Sequence, residues 1–586
     1  MKVFFFRSLL FLLVSFCLNA NAQKKIVTCV GASITSGGRI KNPQVNSYPA
    51  QLQAFLGADY IVNNFGVGSS TMLRKGNSPY WDKDAYQQAL KSKPDIVFID
   101  LGGNDAKAIN RPFYDELEQD TRDMIRSFKT LPSHPRVILL LPTAFFETNE
   151  NEIYDPVCRN EVAPRQRKAA YEEGVEVMDM YPLLVDRPDL VPDRVHPEEE
   201  GSAIIAKRMY QQVIFPIDES FDIFKTLEKN GVDYQVSNYA GYECATFLQN
   251  GRECKVVKPR KVAANHPWIW QARFFGHEPQ TAIALLERGY HFVYCDQAER
   301  MGNKQSISEW NAFYKLLHDG GLNRKVVLEG MSRGGVYVFN WAAANPDKVA
   351  AVYVDNPLLD MKAMYWGPNG EEKPESGITK GIEANYHVTR DRIKTFNESP
   401  IDKINAIVKG KYPILILCAE LDKAAVNSQN TFPFEKKVRE KGGDITVIVK
   451  NGFDHHPHSF PNPAIIVDFI EKAVNKNISP DKRIVANPMN LNYRFQYDDP
   501  SRREAADPVL EYFKGKYYLF ASKSGGYWSS PDLAEWKYIP CKTIETIENY
   551  APAILVLDDE LYYMGSGGDC KIYRNSNPDT DNWQLI

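Results

Sequence analysis

The sequence predicts a multidomain α/β protein that ends in a partial all-β segment. Two observations predict the α/β part: short apolar runs that end in Gly, Asn or Pro, and amphipathic stretches between those runs. The aromatic-rich hairpins that replace this rhythm near the end of the chain predict the all-β part. The predicted order is a signal peptide (1–22) followed by three domains (23–217, 218–478 and 485–586).

Residues 1–22 have the pattern of a secretory signal peptide. Lys2 and Arg7 provide a positive start, an apolar core follows, and Ala20-Asn21-Ala22 forms a small-residue cleavage site. The apolar core is shorter than the roughly 20 residues that a membrane-spanning helix needs, and no later run is apolar for long enough. We therefore expect a secreted or periplasmic protein without a membrane span.

Composition excludes several classes of partner and cofactor. The 586-residue chain has a net charge of −4, which gives no reason to expect nucleic acid as a partner. Its nine cysteines are too scattered for a disulfide scaffold, and no Cys or His spacing matches a zinc site, so we expect no metal and no cofactor. A two-residue turn at Asn250-Gly251 would place Cys244 opposite Val257 and Cys254 opposite Phe247, which argues against a Cys244–Cys254 bridge.

The first domain contains four strand-like runs, and these predict a parallel sheet covered by helices (26–30, 60–64, 95–101 and 136–141). Ser33 in "VGASITSGG" follows the first run, Gly66 in "NFGVGSS" the second and Asn104 in "GGND" the third. Asp193 and His196 form "DRVH" before the last helical stretch.

These residue types suit acyl transfer at a serine. His196 can take the proton of Ser33, and Asp193 can orient the imidazole and stabilise the imidazolium. The backbone N–H groups of Ser33 and Gly66 and the Asn104 amide can form an oxyanion hole. The carboxyl ends of parallel strands meet at one edge of the sheet, so we expect these groups to lie together.

On these motifs the first domain resembles the SGNH (GDSL-type) hydrolases over nearly its whole length. "SYPAQLQAFLG" and "TMLRKGNSPYWDKDAYQQAL" are similar to sialate O-acetylesterase-like members. The resemblance implies a three-layer α/β/α fold and the roles given above. Ala32 departs from the family, which usually has Asp before the serine, so the local hydrogen bonding must differ. Arg74, Tyr80 and Trp81 either line a sugar site or pack on their own domain.

The second domain carries another candidate nucleophile. Five further strand-like runs predict a second sheet (292–295, 325–329, 349–354, 414–418 and 445–449), and Ser332 lies in "GMSRG" between a β-branched run and a helical stretch. Asp422 and His455 follow later strands, in the Ser–acid–His order. The domain therefore resembles the α/β-hydrolase fold, with the Arg333 N–H as one oxyanion donor. The loop around 267–270 is expected to supply the second.

Two assignments in the second domain stay open. The "DHHPH" segment also offers His456 and His458 as the base, and a His-rich turn can bind a metal ion. Asp355 is the alternative acid. Asp355 could instead be only a polar residue at the end of a strand, without a catalytic role.

The segment 485–586 resembles the first blades of five-bladed propeller glycosidases of glycoside hydrolase family 43. The resemblance rests on "AADPVLEYFKGKYYLFAS", "GYWSSPDLAEW" and "NYAPAILVLDDELYYMGS". It implies that Asp507 is a possible glycosidase base, whereas Ala553 stands where the family usually has an acidic residue. Inverting hydrolysis needs a second carboxyl group, which the family supplies from a later blade.

Taken together, these features predict a secreted carbohydrate esterase with two serine-hydrolase sites. It would hydrolyse O-acyl esters, foremost O-acetyl esters, on a polysaccharide or oligosaccharide. Two alternatives remain: a glycosidase whose main propeller continues beyond residue 586, and a carbohydrate-binding scaffold with inactive sites.

Overall fold

The computed structural model describes residues 24–298, 300–475, 507–531, 533, 536–566 and 570–586. The predicted signal peptide and the predicted boundary between the second and third domains lie outside the described residues. Within the described part of the chain, no helix is both long and apolar enough to cross a membrane.

The first sheet has five parallel strands in the order β2-β1-β3-β4-β5, and it contains the four strands predicted for the first domain. The strands are β1 (Lys25–Gly31), β2 (Tyr60–Gly66), β3 (Ile96–Asp100), β4 (Arg136–Leu141) and β5 (Glu176–Asp179). The helices of this part are α1 (Ser33–Ser36), α2 (Pro43–Asn46), α3 (Tyr48–Leu56), α4 (Asp84–Lys91), α5 (Tyr114–Lys129), α6 (Asp155–Val157), α7 (Ala163–Glu173), α8 (Tyr181–Leu184) and α9 (Glu199–Ile214).

Both faces of this sheet are covered, so the arrangement is a three-layer α/β/α sandwich. Side chains of β3 alternate between the faces: Val97 and Ile99 join a core with α4, α5 and α7, whereas Ile96 and Phe98 join a core with α3 and α9. Strands buried on both faces form near-continuous apolar runs, which is why the sequence identified them.

The second sheet has nine strands in the order β14-β13-β12-β11-β9-β10-β8-β7-β6. The six strands β9 to β14 run parallel, and β8, β7 and β6 continue the sheet antiparallel. The strands are β6 (Gln235–Tyr239), β7 (Tyr242–Gln249), β8 (Arg252–Val257), β9 (Trp268–Gln271), β10 (His291–Cys295), β11 (Val326–Met331), β12 (Val349–Asp355), β13 (Ile414–Ala419) and β14 (Ile445–Lys450). The helices are α10 (Ile223–Lys229), α11 (Gln280–Leu286), α12 (Lys304–Asp319), α13 (Gly334–Ala344), α14 (Gly377–Tyr386), α15 (Ile404–Lys409), α16 (Thr431–Glu440) and α17 (Ala464–Val474). This order gives the second domain an α/β-hydrolase-like fold.

The hairpin at Asn250-Gly251 has the predicted register: Cys244 pairs with Val257, and Cys254 pairs with Phe247. On its other side β8 places Cys254 directly opposite Cys295 of β10. The neighbouring Cys295 thiol and burial raise the pKa of Cys254 far above its ordinary value. This close cysteine pair was not predicted, because its two strands are distant in sequence.

The first two sheets are joined through buried charged groups. The backbone N–H of Asp179, at the end of β5, donates to Oε1 of Glu287 just after α11, at 2.9 Å. Oε2 of the same carboxylate accepts from Nη2 of Arg208 in α9 at 3.3 Å, and both side chains are 4% exposed. Nearer the surface, Asn462 donates to Asp186 at 3.1 Å. We call the contact between Glu287 and Arg208 the interdomain ion pair.

Removing one partner of the interdomain ion pair should be costly. We expect Glu287→Ala to destabilise the protein by about 3–5 kcal/mol, because Arg208 would remain buried without its counter-charge. Thermal and denaturant unfolding of the full chain measure this effect. Glu219→Ala is the matched control, since its pair with Lys261 is exposed and such pairs contribute about 0–1 kcal/mol. Equal losses in the two variants would contradict the prediction.

The C-terminal segment contains two four-stranded antiparallel sheets whose strands pair in chain order. The first consists of β15 (Val509–Phe513), β16 (Lys516–Phe520), β17 (Gly526–Ser530) and β18 (Lys537–Pro540), and the second of β19 (Ala553–Leu557), β20 (Glu560–Met564), β21 (Ile572–Asn575) and β22 (Gln584–Leu585). One apolar cluster joins them through Phe520, Tyr527, Tyr563 and Trp583. The predicted all-β character is therefore present.

Candidate active sites

Ser33 lies where the chain leaves β1 and turns into α1. A side chain at Gly31 would place its Cβ 1.9 Å from Oγ1 of Thr35 and 2.8 Å from the carbonyl oxygen of Asp100. Only glycine fits this close approach, so the small residues before Ser33 let the chain turn directly at the sheet edge.

The structure brings Ser33, His196 and Asp193 together, although 163 residues separate the serine from the histidine. Nε2 of His196 lies 2.8 Å from Oγ of Ser33, and Nδ1 lies 2.7 Å from Oδ2 of Asp193. The other carboxylate oxygen, Oδ1, accepts the backbone N–H groups of Val195 at 3.0 Å and His196 at 2.7 Å. One carboxylate therefore fixes both the loop and the imidazole.

Two opposing effects set the pKa of Asp193. Partial burial raises the pKa, but the hydrogen bonds from the His196 backbone, the His196 ring and the Val195 backbone outweigh burial and lower it overall. Its side chain remains 33% exposed, and Nε of Arg39 lies 3.6 Å away. The carboxylate is thus ionised at neutral pH and can stabilise an imidazolium.

The predicted oxyanion donors differ in whether their N–H groups already donate hydrogen bonds within the protein. The Gly66 N–H already donates to Oδ1 of Asn64 at 2.9 Å, and Nδ2 of Asn104 donates to the carbonyl oxygen of Ser70 at 3.2 Å. An amide has a second N–H, so Asn104 retains one donor. Across the residues that the structure describes, the N–H of Gly68 in the same turn has no hydrogen-bond partner. Gly68 is therefore an alternative to the predicted Gly66.

Asp100, at the end of β3, holds the turn that bears Ala32. Its Oδ2 accepts a hydrogen bond from Oγ1 of Thr35 at 2.9 Å and from the Tyr48 hydroxyl at 3.3 Å. Burial raises the pKa of Asp100 to about 6 although these bonds lower it. Ala32, the residue before the nucleophile, has no side-chain group that can accept these hydrogen bonds. The Asp100 carboxylate, from the neighbouring strand β3, accepts them instead.

Arg74, Tyr80 and Trp81 pack on their own domain, in agreement with the second of the two interpretations. The Arg74 guanidinium lies 3.9 Å from the centre of the Trp81 ring and pairs with the carboxylate of Asp120 at 3.0 Å. Tyr80 is fully buried and donates to the carbonyl oxygen of Phe65. These contacts leave the tyrosine no surface for a sugar.

Ser332 lies at a sharp turn between β11 and α13. Its φ of +51° is a conformation that non-glycine residues rarely adopt. A Cβ at Gly330 would lie 2.8 Å from the Gly334 backbone, and one at Gly335 would lie 2.7 Å from Cβ of Pro357. These close contacts explain the glycines around Ser332, and the strand–turn–helix context is that of a nucleophile elbow.

The structure also brings Ser332, His455 and Asp422 together. Nε2 of His455 lies 3.0 Å from Oγ of Ser332, and Nδ1 lies 2.9 Å from Oδ2 of Asp422. Oδ1 of Asp422 accepts the N–H groups of Ala424 at 2.7 Å and Ala425 at 2.9 Å. The Asp422 side chain is 0% exposed. Burial raises its pKa, but the bonds from His455 and the two backbone groups lower it overall.

Asp355, the alternative acid, has other partners. Its carboxylate pairs with Nζ of Lys450 at 3.0 and 3.1 Å, accepts the Ser459 N–H at 2.7 Å and lies 3.1 Å from Nδ1 of His458. Asp355 therefore anchors the segment that follows His455, and Asp422 is the acid that contacts the His455 ring.

Glu329 on β11 is fully buried, and its Oε2 has no hydrogen-bond partner among the described residues. Burial, and next the charge of Asp355, raise the pKa of Glu329 to about 8. The folded protein therefore keeps this proton up to about pH 8, whereas the unfolded chain releases it near the ordinary value of 4.5.

Because the folded state binds more protons in that window, its stability should fall as the pH rises from about 4.5 to 8. We expect Glu329→Gln to remove part of this fall, on the order of a few kcal/mol. Thermal unfolding midpoints of both proteins at pH 5 and pH 8 measure the difference. Parallel pH curves for the two proteins would show that Glu329 does not titrate in this way.

The expected position of the second oxyanion donor is wrong. Residues 268–271 form strand β9, and Trp268 and Trp270 are buried within the sheet. The loop that follows β9 is 272–279, and a backbone donor for this site would lie there. Arg333 follows Ser332 directly, and its guanidinium lies 5.9 Å from the centre of the Phe274 ring in that loop.

Three histidines of the "DHHPH" segment form a cluster beside Ser332. One ligand atom from each of His455, His456 and His458 lies within 4.8 Å of the other two. The His277 ring, from the loop after β9, is 6.0 Å from the rings of His456 and His458. The sequence indicated the three neighbours but not His277.

Asp507 precedes β15 in the C-terminal segment. Its Oδ2 accepts a hydrogen bond from Oγ of Ser522 at 3.2 Å, and the same Oγ accepts the Ala551 N–H at 2.9 Å. Ser522 thus links Asp507 to the residues that lead into β19.

The three-layer fold and the Ser–His–Asp arrangement at its sheet edge define the N-terminal domain as a serine ester hydrolase. Residues 29–204 match the GDSL-like Lipase/Acylhydrolase family. An acetylxylan esterase of Xylanibacter ruminicola is 36% identical over 199 residues, which are 31% of this chain and 41% of that protein. The chain thus spans less than half of this relative.

Solved structures show weaker likeness. An S-formylglutathione hydrolase from Agrobacterium tumefaciens is 13% identical with a TM-score of 0.32, covering 41% of this chain and 96% of that chain. An acylaminoacyl peptidase from Pyrococcus horikoshii is 15% identical with a TM-score of 0.31, covering 43% of this chain and 44% of that chain.

Proposed function

We propose that this protein is a secreted or periplasmic carbohydrate esterase that removes O-acetyl groups from a xylan-type polysaccharide. The observation that carries the proposal is the 2.8 Å contact between Nε2 of His196 and Oγ of Ser33, in a domain related to an acetylxylan esterase. The signal-like residues 1–22 support export.

The proposed reaction is a two-step acyl transfer. Oγ of Ser33 bonds to the acetyl carbonyl carbon while its proton passes to Nε2 of His196, and Asp193 stabilises the imidazolium. The oxyanion accepts hydrogen bonds from the Ser33 N–H, the Asn104 amide and the 66–68 turn. The sugar oxygen then leaves with the proton from His196. Water attacks the acetyl-enzyme by the same route, and acetate is released.

The space beside Ser33 favours a small acyl group. A cavity of about 20 Å³ adjoins the nucleophile, and its walls include Ala32, Asp100, Asn104, Phe145 and Val195. This is about the room that one water molecule occupies, which favours a short acyl group over a long one. The cavity therefore supports acetyl as the acyl group.

We propose Ser332, Asp422 and His455 as a second acyl-transfer site with the Arg333 N–H as an oxyanion donor. Its arrangement repeats the first: each acid gives one oxygen to the histidine and the other to two backbone N–H groups. The acid of the second site is fully buried, so charge interactions there are screened less.

The C-terminal sheets are proposed as the start of a family 43-like propeller with Asp507 as a glycosidase base. Two successive four-stranded antiparallel sheets support blade-like repetition. An acetyl esterase beside such a segment would prepare a decorated polysaccharide for chain cleavage.

Acetate release from acetylated xylan by the full chain tests the proposed function. We compare wild type, Ser33→Ala, Ser332→Ala and the double variant, each also on aryl acetate and aryl butyrate. Acetate release that depends on Ser33, with acetate esters preferred over butyrate esters, supports the proposal. Release by the double variant at the wild-type rate, or a preference for longer acyl chains at the Ser33 site, contradicts it.

A further inference from the structure

Three histidine rings surround one point beside Ser332. The ring centres of His455, His456 and His458 are 4.9 to 5.1 Å apart, and each pair of rings is nearly perpendicular. The His277 ring approaches the group from the opposite loop. We call these four residues the histidine cluster.

The spacing fits one tetrahedral metal ion. Zn–N bonds of about 2.0–2.1 Å place the centres of three coordinating imidazole rings roughly 5 Å from one another. The nitrogens of the three rings already lie within 4.8 Å, so binding needs only small side-chain movements. Imidazole ligands suit Zn²⁺, Cu²⁺ and Ni²⁺.

Two of the three rings have the support that metal-binding histidines usually have. Nδ1 of His455 lies 2.9 Å from Asp422, and Nδ1 of His458 lies 3.1 Å from Asp355. A carboxylate on one ring nitrogen fixes the tautomer and leaves Nε2 as the metal ligand. His456 is exposed, so an ion can enter from solvent.

We propose that His455, His456 and His458 bind a divalent transition-metal ion of the Zn²⁺ type, and that this ion inhibits the Ser332 site. Inhibition follows because the ion takes Nε2 of His455, the nitrogen that contacts Oγ of Ser332. Coordination is reversible and no covalent bond changes. His277 or a water molecule completes the tetrahedron. The inhibitory part rests on the proposed activity of Ser332, whereas metal binding does not.

The Ser33 site is an internal control. Among the described residues, His455, His456 and His458 are the one group of three or more possible metal ligands whose ligand atoms lie within 4.8 Å of one another. His196 does not belong to this group. The same ion should therefore leave Ser33-dependent hydrolysis unchanged.

Metal binding is tested on the full chain without reference to activity. Cobalt(II) is added as a spectroscopic probe, and isothermal titration calorimetry is performed with zinc. We expect one bound ion with the visible absorption of tetrahedral cobalt. Binding should be weaker by roughly 100-fold or more in His456→Ala, because loss of a ligand should exceed the 10- to 100-fold cost of losing a group that only supports a ligand. His134→Ala, an exposed histidine of the first domain, is the matched control and should bind like wild type. No tetrahedral signal, or equal binding in both variants, overturns the proposal.

Inhibition is tested with aryl acetate hydrolysis at increasing zinc. In the Ser33→Ala background, zinc should inhibit at least tenfold, and in the additional His456→Ala variant the ratio of the rates with and without zinc should return towards one. In the Ser332→Ala background, zinc should have no effect. Binding without selective inhibition overturns the inhibitory part. A Ser33→Ala protein without any metal-free activity contradicts the proposed function of Ser332, and the cobalt titration still decides the metal site.

Discussion

Ser33→Ala should lower acetate release from acetylated xylan by roughly 10³- to 10⁶-fold. The hydroxyl of Ser33 is the group that contacts Nε2 of His196, and alanine removes the nucleophile without filling the cavity beside it. Residual hydrolysis would come from the oxyanion donors alone, with water as the nucleophile. The measurement uses the Ser332→Ala background, so that the second site contributes nothing.

The matched control for Ser33→Ala is Ser127→Ala. Ser127 is a helix serine of the same domain whose hydroxyl donates to the carbonyl oxygen of Met124. It should retain the parent rate, and both variants should unfold at the same temperature as the parent. A folded Ser33→Ala protein with the parent turnover would refute the assignment of the nucleophile.

The second large effect is expected at Ser332 and His455, which should behave as one unit. In the Ser33→Ala background, Ser332→Ala and His455→Ala should each abolish most aryl ester hydrolysis, by roughly 10³-fold or more. The double variant should be little worse than either single variant, because each change already removes the proton transfer between Oγ and Nε2.

His456→Ala separates the two candidate bases at this site. The structure gives His455 both contacts of the proposed triad, to Ser332 and to Asp422, so the His456 variant should retain its rate in metal-free buffer. Loss of activity in His456→Ala with retention in His455→Ala would exchange their roles. Multiplicative losses in the double variant would show that Ser332 and His455 act independently.

The sequence predicted most strands of both α/β sheets because the central strands are buried on both faces and form apolar runs. It missed β9, because the segment "WIWQ" is only four residues long and was expected to be a loop. It also missed β5, which begins with Glu176 and ends with Asp179. Short strands with polar ends carry too little pattern to be identified alone.

Ser33 and Ser332 could be predicted because each is a serine that lies among small residues directly after a strand. The hydrogen-bond and ion-pair partners of Gly66 and Asp355 could not be predicted, because these pairings depend on how side chains pack in the folded protein. The bond from Gly66 to Asn64 and the pair of Asp355 with Lys450 follow from packing and not from sequence spacing. His277 joins the histidine cluster across a long stretch of sequence, which no local motif reports.

The interdomain ion pair has a consequence for how a long substrate would be used. Since Glu287 contacts both Arg208 and the backbone of Asp179, this contact restrains the separation of the two candidate sites within one molecule. A polymer held at one site would meet the other at an effective concentration set by that separation instead of by its bulk concentration. If both proposed sites act on the proposed polysaccharide, ester groups spaced to match would be removed in pairs from the same chain. Partly reacted polysaccharide would then show clustered bare stretches instead of a random pattern.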